Sequence, residues 1–63
     1  MRPGDRVVVV HASPWGSTER TRETVASVDG GAVRFKSGAE ARGDVYVPAS
    51  GVPLELDRIE PQS

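Results

Sequence analysis

The sequence predicts an all-β domain, a small closed barrel of five strands. Three observations predict it. No segment carries apolar residues at i, i+3, i+4 and i+7, the stripe a surface helix needs. Gly and Pro punctuate the chain at short intervals, from Pro3-Gly4 to Pro61. The runs between them are rich in Val, Ile, Thr, Phe and Tyr, which suit a pleated, half-buried surface. The 63 residues make a single domain, ordered over 3–60 with a tail at 61–63, and they are too few for a sandwich. Closing one sheet on itself removes the exposed edges.

The first strand is Asp5 to His11. Its Val7–Val10 run has no polar alternation, and successive side chains point to opposite faces. Both faces therefore need cover, one from the core and one from the C-terminal segment, a loop or a second subunit. Residues 12–20, "ASPWGSTER", form a long polar first loop. The second strand runs from Thr21 to Val28. Asp29-Gly30-Gly31 then supplies a tight turn, because a two-residue I′ hairpin needs positive φ at both central positions. The third strand is Ala32 to Ser37, with Val33 and Phe35 inward and Arg34 and Lys36 outward. Val25 and Val28 add to the core.

Residues 38–43, "GAEARG", read as another turn, and the fourth strand is Asp44 to Val47. Pro48 has no N–H to donate, so regular pairing stops there. "PASG" suits a short 3-10 turn before the last strand. That strand is Pro53 to Ile59, with Leu54 and Leu56 on one face and Ile59 on the other.

This order of elements resembles the SH3-like small β-barrel over residues 3 to about 60. The opening "PGDRVVVV" resembles the GD-x-V-x-V start of KOW-type and related SH3-like barrels. "TVASVDGGAVRF" resembles their second and third strands, and is similar to a stretch of the photosystem I subunit IV family. In both families a Gly precedes the Thr-Val or Val of strand two; here Glu23 stands in that position. "VYVPASGVPLELDRI" is similar to the C-terminal region of the type II dihydrofolate reductases, SH3-like barrels that act as tetramers around a central pore. Their Val-Gln-Ile-Tyr stretch is replaced here by Asp44-Val45-Tyr46-Val47, with no Gln, so an enzyme of that kind is only a distant alternative. What the resemblance implies is an oligomeric habit.

Composition narrows the chemistry. There is no Cys, hence no disulfide, and the lone His11 is too little for a structural zinc site. No apolar stretch is long enough to span a membrane. The expected protein is cytoplasmic, with no metal and no cofactor. His11 is the one general base suited to neutral pH. Ser13, Ser17, Asp5 and Asp44 are available partners, but availability is not geometry, so no catalytic residue is assigned and a non-enzyme is expected. Glu55 and Asp57, two apart on a strand, share a face and read as an acidic surface that discourages edge pairing. Gly30-Gly31 precedes a strand, so it is a hairpin turn and not a phosphate loop.

What remains is binding. Domains this small usually lean on a staple or a partner, and the chain has no staple. Trp15, between Pro14 and Gly16, is either a lid folded over the core or an anchor for a partner. Trp15, Tyr46 and Pro48 would line a ligand cleft, while Val8 and Val10 offer a second apolar surface. The expected function is therefore a non-catalytic module for protein–protein association, with its own copies or within a larger complex. The alternative is nucleic-acid binding through a basic patch on the central hairpin: Arg20, Arg22, Arg34, Lys36 and Arg42. The net charge of −1 weighs against it, as does ordinary cross-strand pairing of these cations with Glu23 or Glu19.

Overall fold

Alternating burial organises six strands, not five, into one antiparallel sheet. The computed structural model describes residues 1–62. The strands are β1 (Arg6–Ala12), β2 (Thr18–Asp29), β3 (Ala32–Phe35), β4 (Glu40–Arg42), β5 (Val45–Val47) and β6 (Leu54–Pro61). Each pairs with the next along the chain, and β1 also pairs with β6, so the sheet closes into a ring. No helix of any kind occurs among the described residues. The expected five-stranded SH3-like barrel with its 3-10 turn is thus corrected in both particulars, and the SH3-like description goes with it.

The additional strand is β4, which lies within the segment read as a turn. Glu40, Ala41 and Arg42 alternate half-buried, buried, exposed. Ala41 sits between Val33 on β3 and Tyr46 on β5, facing the core. Ala is a weak strand signal, so its inward position escapes notice beside two charges and two glycines. At "PASG" the Gly51 N–H donates to the Pro48 carbonyl at 2.8 Å, a single β-turn that goes no further.

Pairing also lengthens the flanking strands. Thr18, Glu19 and Arg20 pair with Ala12, His11 and Val10, so the long first loop shrinks to residues 13–17. At the C-terminus Glu60 and Pro61 lie in β6, and the Gln62 N–H donates to the Arg6 carbonyl at 3.0 Å. Ser63, part of the expected tail, lies outside the described residues.

The tight hairpin forms as expected. Asp29 pairs with Ala32, and Gly30 and Gly31 take φ of 54° and 94°, the I′ pattern. A side chain in that left-handed region costs about 1–2 kcal/mol. Gly31→Ala is therefore expected to lower the unfolding free energy by about that amount, measurable by urea titration. No change would mean that the turn relaxes to another type.

Two bulges decide which residues face inward. The β2–β3 register shifts between Val25 and Ser27, and Val28, expected in the core, ends 46% exposed beside the hairpin. The β1–β6 register shifts between Val10 and His11: Val10 pairs with Arg58 and His11 with Leu56. Asp57 is the extra residue. It restores Ile59 to the inner face beside Val9, although simple alternation sets it opposite Leu54 and Leu56. The core comprises Val7, Val9, Val25, Phe35, Ala39, Ala41 and Tyr46, with Val33, Leu54, Leu56 and Ile59 packed around it.

Antiparallel closure also sorts the loops. β1, β3 and β5 run the same way, so segments 13–17, 36–39 and 48–53 leave the ring at one end. Consistent with this, Ala49 Cβ lies 4.0 Å from where a Cβ on Gly38 would sit. The termini, the Gly30-Gly31 turn and the Gly43-Asp44 turn occupy the other end.

Candidate functional site

Trp15 stands at the tip of the β1–β2 hairpin and is 84% exposed. It is not a lid. Burying an indole is among the largest apolar gains open to a small domain, so an indole left in water needs a reason. Its backbone is nevertheless held. The buried Ser13 side chain is the clip: its Oγ accepts from the Trp15 N–H at 3.2 Å and from the Ser17 N–H at 3.1 Å. It also exchanges a 2.7 Å bond with Ser17 Oγ. The Ser13 N–H donates to the Ser17 carbonyl, and the Gly16 N–H to the Ser13 carbonyl. Pro14 restricts φ just before the indole, and Gly16 takes φ 87° just after it. The result is an apolar side chain on a loop whose backbone is already ordered. Val52, 55% exposed in the 48–53 loop, adds a second apolar residue at this end.

Below this end, inside the ring, lies a polar core. Thr21 and Glu23 pair with Val9 and Val7 and so point inward with them. Glu23 is buried, and its carboxylate accepts from Tyr46 Oη at 2.6 Å and Ser37 Oγ at 2.8 Å. The Tyr46 ring stacks on His11 at a 4.7 Å centroid distance and meets Phe35 edge-on. His11 Nδ1 lies 2.8 Å from the Ala12 carbonyl, which only accepts, so Nδ1 carries a proton. With a neutral ring, Nε2 then accepts from the Thr21 hydroxyl at 2.7 Å. No buried side-chain polar atom among the described residues lacks a partner.

Burial, and then the hydrogen bond and charge of Glu23, push the Tyr46 phenol well above its ordinary range. The raised pKa favours the neutral phenol in the fold. Its contribution is complete below the unfolded value near 10, and is lost as pH rises past it, because the unfolded chain releases the proton first. Unfolding midpoints in urea should therefore fall between about pH 9 and pH 11. Tyr46→Phe should remove that fall; an unchanged slope in the variant would assign it elsewhere.

The outer face of β6–β1–β2 is built differently. Val10 pairs with Arg20 on one side and Arg58 on the other. Both guanidiniums converge on Glu60, so the Arg20–Glu60 pair bridges across β1. Arg58, and with it Arg20, holds the Glu60 carboxyl below its ordinary range. Beneath this cover Val10 is only 2% exposed, the aliphatic stems of the arginines covering it in place of apolar residues. Val8, half-buried, floors an open groove of about 470 Å³ together with Arg20, Arg22, Pro61 and Gln62.

The expected site residues separate accordingly. Trp15 and Pro48 lie at the same end of the ring, whereas Tyr46 points inward and lines no external cleft. Val10 is covered by the protein's own last strand, and Val8 remains in an open groove. The five cations do not form one hairpin patch. Arg20 and Arg22 pair with β1, while Arg34 pairs with Ser27 beyond the bulge, and Arg34 and Arg42 flank Glu40 at 3.9 and 3.4 Å. Lys36 is exposed, its N–H bonded to the Thr24 carbonyl. Sequence reasoning missed Ser13 and Glu23. The Ser13–Ser17 bracket around "PWG" was the signal for the first. The inward series Thr21, Glu23, Val25 was the signal for the second.

No group of three or more metal-binding side chains occurs among the described residues. No protein-family model matches the chain, nor does any curated protein or solved structure.

Proposed function

We propose that the chain is a non-catalytic module for protein–protein association, docking through Trp15. The observation that carries this reading is an 84% exposed indole on a backbone clipped by Ser13. Tryptophan is enriched among the residues that dominate binding energy. A loop ordered in advance loses little further freedom on docking, so more of the contact energy appears as affinity. The acidic side chains around the hairpin, Glu19 at its base and Glu55 beside Ala12 and Thr18, favour a partner surface with positive charge.

Trp15 is the single Trp, so its fluorescence reports the site directly. Free protein should emit as indole in water, and a docked partner should shift the emission to the blue. Immobilised protein and its Trp15→Ala variant, exposed to a host lysate, should differ by the loss of a specific partner at unchanged melting temperature. Capture of the same partner by the variant would refute the assignment.

A further inference from the structure

We infer that the outer face of β6–β1–β2 is a second docking surface, one that takes an extended, acidic protein segment. This does not rest on Trp15. The register decides which side chains share the face. Val7 and Val9 lie in the core, so Arg6, Val8 and Val10 of β1 point the other way. On β2 the inward Thr21 and Glu23 alternate with Arg20 and Arg22, which pair with Val10 and Val8. On β6 the residues opposite Val10 and Val8 are Arg58 and Glu60. Four exposed arginines therefore stand on one three-stranded face. Among the described residues two carboxylates answer them, Glu60 and Asp57. Arg58 holds both and Arg20 shares Glu60, whereas Arg6 and Arg22 form no ion pair among the described residues.

Val10 shows how an apolar floor on this face is completed. Arg20, Glu60 and Arg58 bridge over it, and it is buried beneath their stems. One step along β1 the same arrangement is unfinished. Arg22 stands across Val8 from Glu60, but Glu60 is turned to Arg20 and Arg58. Val8 stays half-buried, and the groove of about 470 Å³ opens there between Arg20, Arg22, Pro61 and Gln62. A carboxylate from outside supplies what Arg22 lacks, and its methylene stem covers Val8 as the arginine stems cover Val10. Spacing favours an extended chain. Arg20 and Arg22 lie two residues apart on β2, about 7 Å, and alternate side chains of an extended segment recur at that interval. Arg20 spends one terminal nitrogen on Glu60 and keeps further donors. A nucleic-acid strand suits the face less well. No Phe, Tyr or Trp lies in β1, β2 or β6 to stack a base, and a net charge of −1 gives no long-range pull on phosphates.

The test is fluorescence anisotropy of a labelled octapeptide alternating Glu and Ala, titrated with the full chain. Binding should saturate, weaken with added salt, and vanish when Gln replaces every Glu of the peptide. Arg22→Glu should weaken it about tenfold or more, and Arg22→Lys, which keeps the charge and loses the fork, about threefold. Arg34→Glu changes the net charge equally, on β3 and outside the groove, and should bind within about twofold of the wild type. Both positions are exposed, so melting temperatures should hold. Trp15 emission should stay that of indole in water as the peptide binds. No binding at high micromolar protein overturns the inference. So does equal binding by Arg22→Glu, or an equal loss in Arg34→Glu. A blue shift of Trp15 on peptide binding overturns it too, by moving the peptide to the hairpin tip. A single-stranded oligonucleotide that binds more tightly than the peptide, and is released in Arg22→Glu, overturns it in favour of phosphate contacts. Failure of the peptide to bind leaves the docking role of Trp15 standing, since lysate capture tests that role separately.

Discussion

Replacing Tyr46 with Ala is expected to leave the chain unfolded at room temperature. The side chain is 2% exposed and lies where β4, β5 and β6 meet the core. Truncating a buried aromatic to Ala costs about 3–5 kcal/mol. The change also strips Glu23 of its 2.6 Å donor, leaving a buried carboxylate with Ser37 alone. A buried polar group that loses its partner costs about 1–3 kcal/mol more. Against this stands a domain of 63 residues, whose whole stability is about 3–9 kcal/mol at typical values per residue. The loss is comparable to the total. Far-UV circular dichroism and amide dispersion would show it, and a cooperatively folded Tyr46→Ala protein would contradict the placement of this core. Tyr46→Phe separates the two terms. It keeps the ring on His11 and Phe35 and removes only the hydroxyl, so it should fold with a loss of about 1–3 kcal/mol. Adding Glu23→Gln to Tyr46→Phe should recover part of that loss, because a neutral amide is cheaper to bury than an unpaired carboxylate.

The same residues mark how far the sequence could be read. Strong local patterns were legible: the Asp29-Gly30-Gly31 turn, and Phe35 in the core with Lys36 outside it. So was the all-β character, because Gly and Pro placed the breaks. Registers were not legible. One extra residue at Asp57 reverses the facing of Ile59, and the shift after Val25 sets Val28 opposite the inward Val33, where its place beside the hairpin turn leaves it exposed. Bulges carry no composition of their own, so alternation reads straight through them. β4 was hidden for a related reason, since a three-residue strand with Ala as its single inward residue has almost no pattern to show.

The candidate site divides along the same line. Trp15 stood out as a lone aromatic in a polar loop, but whether it was lid or anchor depended on three-dimensional packing. The basic residues are spread along the sheet because β2 is a 12-residue strand that serves two neighbours. Arg20 and Arg22 lie on the half that faces β1, and Arg34 pairs with the other half. Glu23 shows how a local rule is outweighed. A carboxylate on the inner face contradicts binary patterning, yet Tyr46 and Ser37 satisfy it from other strands and loops.

Trp15→Ala carries the second large effect, on binding and not on stability. An exposed indole contributes little to the core, so the unfolding free energy should change by no more than the small range typical of surface substitutions, about 0.5 kcal/mol. Partner affinity should fall by about 2 kcal/mol or more, roughly thirtyfold, as for a central aromatic anchor. Ser13→Ala tests why the anchor works. It removes the oxygen that accepts from both the Trp15 and Ser17 N–H groups, while leaving the indole itself untouched. If affinity draws on the ordered backbone, this variant should bind about fivefold more weakly, equivalent to roughly 1 kcal/mol of lost preorganisation. Its free indole should still emit as in water. The double variant then settles the coupling. Once Trp15 is Ala, the clip has nothing to present, so Ser13→Ala should cost almost no further affinity, and the two effects should fall short of additive. Full additivity, measured by titration against the partner, would mean that Ser13 acts through a contact of its own and that loop order is incidental to docking.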